Sequence, residues 1–192
     1  KCEPGTFLSI TLEEKNITKE TFWNAKQEIN LNKSRKYFDN YEDVLRKTND
    51  KITDAVKEQM ISDVPIGAFL SGGIDSSLIS SIMQDISDKP INTFSVGIDN
   101  EKYDESGYAK EVANALGTNH FELKLSSNDL TKSLPSISNI YDEPFSDPSS
   151  IPTFLISEFA KKNVSVVLTG DSGDEVFAGY NRHLYTYRYW KF

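Results

Sequence analysis

Cysteine is nearly absent from this chain: of 192 residues, Cys2 is the single one. A lone thiol excludes an internal disulfide and any Cys-x-x-Cys metal or sulfur-relay site. Basic residues are outnumbered, with 21 Lys and Arg against 29 Asp and Glu and a formal net charge of −8. No nucleic-acid partner is expected, because nucleic-acid binders carry basic stripes. No run of about 18 apolar residues occurs, so no membrane span is expected. Residues 1–6 lack the apolar centre of a signal peptide. These absences point most simply to the cytoplasm. The common mononucleotide loop is missing too, since no Lys follows the Gly72-Gly73 pair as G-x-x-x-x-G-K-S/T requires. A G-x-G-x-x-G dinucleotide turn is broken by Ile74 and Asp75.

What the chain does contain is 38% hydrophobic residues, enough for a core in one domain with a piece of another. Residues 65–77 read Pro-Ile-Gly-Ala-Phe-Leu-Ser-Gly-Gly-Ile-Asp-Ser-Ser. The spacing predicts an apolar strand over 66–70. It then predicts a helix over 74–86 that places Ile74, Leu78, Ile79, Ile82 and Met83 at helical intervals. A strand-to-helix turn built from Ser71, Gly72, Gly73, Ser76 and Ser77 suits a phosphate chain. Glycine lets backbone amides close on phosphate oxygens, and a helix start adds unpaired N–H donors and a positive dipole end. Asp75 inside that turn would repel a bare anion, so a bridging cation, Mg²⁺, is expected with it. The competing reading is a structural turn with a serine cap.

The chain divides near residue 36. Before it, residues 5–12 and 17–23 are β-rich around a polar turn at 13–16, as in a hairpin. Residues 24–36 are polar without a clear period and read as a linker. Residues 37–64 carry helical spacing with charges between the apolar positions. From Pro65 the pattern alternates. Strands are expected at 66–70, 91–98, 121–125 and 164–170. Helices are expected at 74–86, 104–116 with Gly117 as stop, 129–141 interrupted by Pro135, and 149–162. The fold class predicted is α/β: a parallel twisted sheet, helices on both faces, after a short β hairpin. The strand at 164–170 is so apolar that a central place is expected for it.

Ligands of such sheets lie beyond the C-terminal strand ends. Residues 70–77, 96–99 and 169–174 therefore form one expected cleft. Thr169-Gly-Asp-Ser-Gly-Asp-Glu puts three acids in five residues after a buried strand. Crowded acids repel one another unless a cation sits between them, and Asp75 with Asp174 are the expected metal pair. A solvated acidic loop is the alternative.

Here a resemblance becomes specific. Ser71-Gly-Gly-Ile-Asp-Ser resembles the pyrophosphate loop of N-type ATP pyrophosphatases. Four blocks together resemble the synthetase domain of glutamine-hydrolysing asparagine synthetases and their β-lactam synthetase relatives. They are residues 64–77, residues 93–97 with Tyr103-Asp-Glu-Ser, residues 142–153 beginning Asp142-Glu-Pro-Phe, and residues 168–182. The resemblance covers 37–192 as an ATP pyrophosphatase domain incomplete at its C-terminus. It implies for residues 1–36 the tail of an N-terminal glutaminase domain plus linker.

The resemblance implies roles residue by residue. Ser71, Gly72, Gly73, Asp75, Ser76 and Ser77 hold pyrophosphate and Mg²⁺. Leu70 and Val96 meet the adenosine through backbone groups, and Thr169 and Gly170 lie along the ATP. Asp171 and Asp174 form the catalytic acidic pair. Position 171 is Glu in many asparagine synthetases, and many bacterial relatives carry Gly where Ser172 stands. The implied reaction adenylylates a carboxylate, aspartate by expectation, and ammonia from the glutaminase domain gives the amide, AMP and pyrophosphate. ATP and Mg²⁺ are the implied cofactors, and a homodimer of the full-length enzyme is among the expectations. Another ATP pyrophosphatase-type ligase and a truncated, non-catalytic nucleotide-binding remnant are the alternatives. Cys2 is expected as a strand residue rather than the glutaminase nucleophile. His120 is expected to be structural and His183 to belong to an interface. The aromatic stripe Tyr185, Tyr187, Tyr189 and Trp190 is expected to pack against a further helical part beyond Phe192.

Overall fold

A computed structural model describes residues 2–13, 16–33, 40–99, 104–141, 143 and 146–190. The chain forms two compact units, Lys1–Lys47 and Thr48–Phe192. The second of these units starts at Thr48, inside a helix.

In the first unit, β1 (Thr6–Thr11) pairs antiparallel with β2 (Asn16–Thr21), Ile10 facing Ile17. Gly5 sits at φ +68°, and the Trp23 carbonyl fills the space a Cβ would need, so both conformation and room call for glycine. Its own carbonyl accepts the N–H groups of Phe22 and Trp23. Cys2 precedes β1 rather than lying within it; its sulfur is 2.9 Å from Thr6 Oγ1. The linker expected at 24–36 is instead a helix over part of its length, α1 (Ala25–Asn32). Its start comes from Asn24, whose side chain accepts the Gln27 N–H at 3.1 Å. The helix buries no residue, which is why it shows no apolar period.

The second unit begins within α2 (Tyr41–Gln59) and continues through β3 (Ile66–Phe69), α3 (Ile74–Asp85), β4 (Asn92–Ile98) and α4 (Ser106–Leu116). Then come β5 (Asn119–Leu125), α5 (Ser127–Ile140), α6 (Ser150–Ala160), β6 (Val166–Leu168), α7 (Gly173–Phe177) and α8 (Asn181–Tyr189). Gly117 ends α4 in the left-handed region, φ +71°, as its position after the periodic run predicts. Ser126 and Asp129 form a reciprocal capping box that starts α5. Pro135 lies inside α5 and does not interrupt it.

The sheet is parallel with order β5-β4-β3-β6. The strand at 164–170 is shorter than expected and lies at the sheet edge, not its centre. Its apolar character has another cause. Val167 packs with the cluster around Phe94 and Leu168 with the cluster around Ala68, so the strand is covered on two faces without being central. Successive strand residues face opposite ways. Ala68 meets Met83 of α3 and Val56 of α2, whereas Phe69 packs with Ile156 and Ala160 of α6. Helices therefore cover both faces. Phe94 is fully buried, stacked on Phe121 at 5.4 Å and edge-on to Phe159 at 6.3 Å.

Chain order and strand order part company beside β3. The chain steps from β3 to β4 to β5, then returns to place β6 on the other side of β3. This reversal is the switch point at which open α/β sheets open a crevice. Among the described residues no helix is long and apolar enough to cross a membrane.

Candidate functional site

The turns that leave β3 and β6 meet at that switch point. Between them, and beside the end of β4, lies a cleft of 1120 Å³. Two glycines make the meeting possible. A Cβ on Gly170 would stand 2.6 Å from Ser76 N, and one on Gly173 would stand 2.5 Å from Asp75 Cγ. At Gly170 the second turn closes onto the backbone of the first, and at Gly173 it closes onto the Asp75 carboxylate.

Hydroxyls organise the first turn. Ser76 Oγ accepts the Ser71 N–H at 3.2 Å and lies 3.0 Å from Ser71 Oγ. Ser71 Oγ accepts the Gly73 N–H at 3.2 Å. Gly73 is the N-cap of α3 and contributes no side-chain cap, so the first turn of the helix keeps N–H donors without intrahelical partners. Donors, hydroxyls and a dipole end converge on a concave surface, which is the chemistry of an anion site.

Of the expected residues, Leu70, Ser71, Gly73, Asp75, Ser76, Val96, Thr169, Gly170, Asp171 and Asp174 line the cleft. Gly72 and Ser77 do not. Gly72, at φ +81°, packs on α4, where a Cβ would come within 2.6 Å of Tyr108 Cβ. Ser77 Oγ is buried without a hydrogen-bond partner. Leu70 gives its N–H to the Phe94 carbonyl at 2.8 Å, leaving its carbonyl as the backbone group available to a ligand. The Asp171 N–H reaches Thr169 Oγ1 at 3.3 Å.

The second turn is strained at one point. Ser172 stands at φ +73°, a region that favours glycine. Beyond α7, Ala178 at φ +62° turns the chain back. Tyr180 then donates its hydroxyl to Glu175 Oε1 at 2.8 Å, under the Arg182 guanidinium at 4.1 Å from the ring. That hydrogen bond, ahead of other causes, lowers the Glu175 carboxyl and raises the Tyr180 phenol. Both line the cleft, and sequence reasoning missed both as site residues. The signal was Asp174-Glu175 followed five residues later by Tyr180, a spacing with meaning only once the left-handed corner is known.

Asp75 and Asp174 suit a hard cation in kind, being oxygen donors. Among the described residues no group of three or more His, Cys, Asp or Glu could hold a metal alone. Mg²⁺ needs only one or two carboxylates, with water and substrate phosphates completing its shell, so these two aspartates would suffice in kind. His120 stands apart from the anion site. Its Nδ1 lies 2.9 Å from Thr93 Oγ1 and its Nε2 3.1 Å from Ser95 Oγ, the structural place expected for it. His183 packs on Tyr180 with its Nδ1 buried and unpartnered.

Comparison with known proteins follows the same lines. Residues 47–192 match the family model described as asparagine synthase. A Methanocaldococcus jannaschii protein with the provisional name asparagine synthetase (glutamine-hydrolysing) 2 is 40% identical over 189 residues, 98% of this chain and 35% of that protein. Asparagine synthetase (glutamine-hydrolysing) 1 of Bacillus subtilis is 38% identical over 182 residues, 94% of this chain and 27% of that protein. The chain thus spans between about a quarter and a third of the length of these relatives. Among solved structures, an NH3-dependent NAD synthetase of Campylobacter jejuni in complex with nitrate aligns with TM-score 0.47 and 18% identity. The alignment covers 71% of this chain and 60% of that one.

Proposed function

The chain belongs to the asparagine synthase family, and from that premise we propose that it is the nucleotide-binding part of an ATP-dependent, amide-forming ligase. The proposed acceptor is the side-chain carboxylate of aspartate. The proposed nitrogen source is ammonia released from glutamine by a glutaminase domain, with residues 1–36 as that domain's tail and linker. A cytoplasmic location and a homodimer of the full-length enzyme belong to the same proposal. The observation that carries the reading is the closure of Gly170 and Gly173 onto Asp75 and Ser76. It joins two strand-end turns into one cradle of amides and hydroxyls.

In the first step a carboxylate oxygen attacks the α-phosphorus of ATP. The bond to the bridging oxygen breaks, and its electron pair leaves with pyrophosphate. Ser71 and Ser76 hydroxyls and the first N–H groups of α3 donate to the pyrophosphate oxygens, where charge grows. Asp75 and Asp174 would hold Mg²⁺, which would supply positive charge to offset the charge growing there. The Leu70 and Val96 backbone orients the nucleoside, and Thr169 with Gly170 flanks the phosphates. In the second step ammonia attacks the acyl carbon, AMP departs with its electron pair, and the nitrogen loses one proton. Asp171 is the proposed acceptor of that proton.

The test is exchange of labelled pyrophosphate into ATP by the full-length protein. Exchange that requires aspartate and Mg²⁺, followed by AMP and asparagine on adding glutamine, is expected. Release of ADP and inorganic phosphate instead, or exchange indifferent to aspartate, overturns the reading.

A further inference from the structure

We propose that Glu105 reads the sugar of the nucleotide, its carboxylate accepting hydrogen bonds from the vicinal 2′- and 3′-hydroxyls of the ribose. The inference rests on the nucleotide-binding reading above. Asp104 and Glu105 stand side by side before α4 with different tasks. Asp104 Oδ1 accepts the Ser106 N–H at 3.0 Å, which holds its carboxyl below the ordinary range. Asp104 is thereby committed to starting the helix. Glu105 is the N-cap residue, yet its side chain makes no cap bond. Its structural work is done by its carbonyl, which accepts the Ala109 N–H at 3.2 Å. Its side chain is left to the cleft that it lines.

Position supports the assignment. Residues four apart share one face of a helix, and Ala109 also lines the cleft while packing on Leu70. Gly72 fixes how near the phosphate turn comes: a Cβ there would lie 2.7 Å from Ala109 N. The turn therefore touches the first turn of α4, and Glu105 stands one helical turn, about 5 Å, from that contact. A ribose is one ester link from its α-phosphate. Ser71, Gly73 and Ser76 face the cleft while Gly72 packs on α4 behind them, so a nucleotide with its phosphates on those three residues brings its sugar to this place.

Chemistry selects the group recognised. The neighbouring wall is apolar: Leu70, Val96, Ile98 and Ala109. An ionised carboxylate only accepts hydrogen bonds. Vicinal hydroxyls offer two donors to its two oxygens. The adenine edge offers the N6 amine beside N1, an acceptor that a carboxylate would repel.

The experiment measures affinities of ATP, 2′-deoxyATP, 3′-deoxyATP and ITP for the full-length protein with Mg²⁺, by titration calorimetry. Wild type and the variants Glu105→Ala and Glu105→Gln are compared. Wild type is expected to prefer ATP over either deoxynucleotide by on the order of tenfold to a hundredfold, the value of a hydrogen bond to a charged group. Glu105→Ala is expected to bind the three alike with an unchanged melt, and Glu105→Gln, with one acceptor left, to fall between. Discrimination that survives in Glu105→Ala overturns the proposal. So does a change confined to ITP, which would assign Glu105 to the base. Wild type that binds ATP without regard to the sugar overturns this inference alone; wild type that binds no nucleotide overturns the reading beneath it as well.

Discussion

Gly173 has no side chain at the place where the Asp75 carboxylate needs room. An alanine there would put its Cβ 2.5 Å from Asp75 Cγ, and one of the two must move. The helix α7 that begins at Gly173 tolerates alanine, so the cost falls on the contact. Overpacking costs roughly 1–3 kcal/mol in a packed core, and less here, because the atoms met are the end of the Asp75 side chain, which can swing aside and away from the ligand. We expect Gly173→Ala to lower the melting temperature and to weaken Mg²⁺-pyrophosphate binding. A titration with unchanged affinity would show that the approach of the two turns has no bearing on the ligand. The neighbouring Ser172 makes the opposite case. Its φ of +73° costs a non-glycine residue roughly 1–2 kcal/mol, while glycine there gives back part of the gain to the entropy of the unfolded chain. Ser172→Gly is expected to stabilise by up to about 1 kcal/mol in a denaturant melt; destabilisation would mean that the serine side chain makes a compensating contact.

At the scale of elements, β4 and β5 are tied by more than their ladder. His120 bridges Thr93 and Ser95, and Thr93 Oγ1 reaches Thr118 Oγ1 at 2.8 Å. Burial, ahead of the opposing effect of Glu122, pushes the His120 imidazole below its ordinary value of about 6.5. The unfolded chain therefore binds a proton more readily than the folded one. Stability is full above about pH 6.5 and falls as the pH drops through the window below it. His120→Gln should flatten this part of the profile in denaturant melts taken between about pH 7.5 and 5; an unchanged slope would assign the acid sensitivity to another group. Elements of this kind differ in how plainly the sequence announces them. The turn between β3 and α3 was legible because glycines, hydroxyls and an acid follow an apolar strand within a few residues. The Gly117 stop and the four parallel strands were legible for the same local reason. The helix α1 was not, since it buries nothing and so leaves no apolar period; only Asn24 marked it. The edge position of β6 was hidden because helices cover both its faces. Pro135 announced a break that α5 absorbs. Glu175 and Tyr180 are joined by a left-handed alanine that no composition reveals.

At the scale of the whole molecule, the site exists because the chain returns past β3. Asp75 follows β3 and Asp174 follows β6, about a hundred residues apart, yet parallel pairing brings both turns to one sheet end. Two glycines give these carboxylates room: the Asp75 carboxylate lies where a Cβ on Gly173 would stand, and the Asp174 carboxylate where a Cβ on Gly179 would stand. If the two acids share one Mg²⁺ with a phosphate ligand, the ion couples the two halves of the sheet. Mg²⁺ with pyrophosphate at a hundredfold excess over its dissociation constant should then stabilise the second unit by about 2.7 kcal/mol. Asp75→Asn and Asp174→Asn should each remove most of that gain, because each opens the same coordination shell. The double variant should lose little more, since one ion can be removed only once and groups that share a partner do not act additively. Thermal melts of the four proteins with and without Mg²⁺-pyrophosphate measure the coupling directly. Losses that add in full would place the two carboxylates on separate tasks. The cradle would then bind its anion through the hydroxyls and amides of the first turn alone.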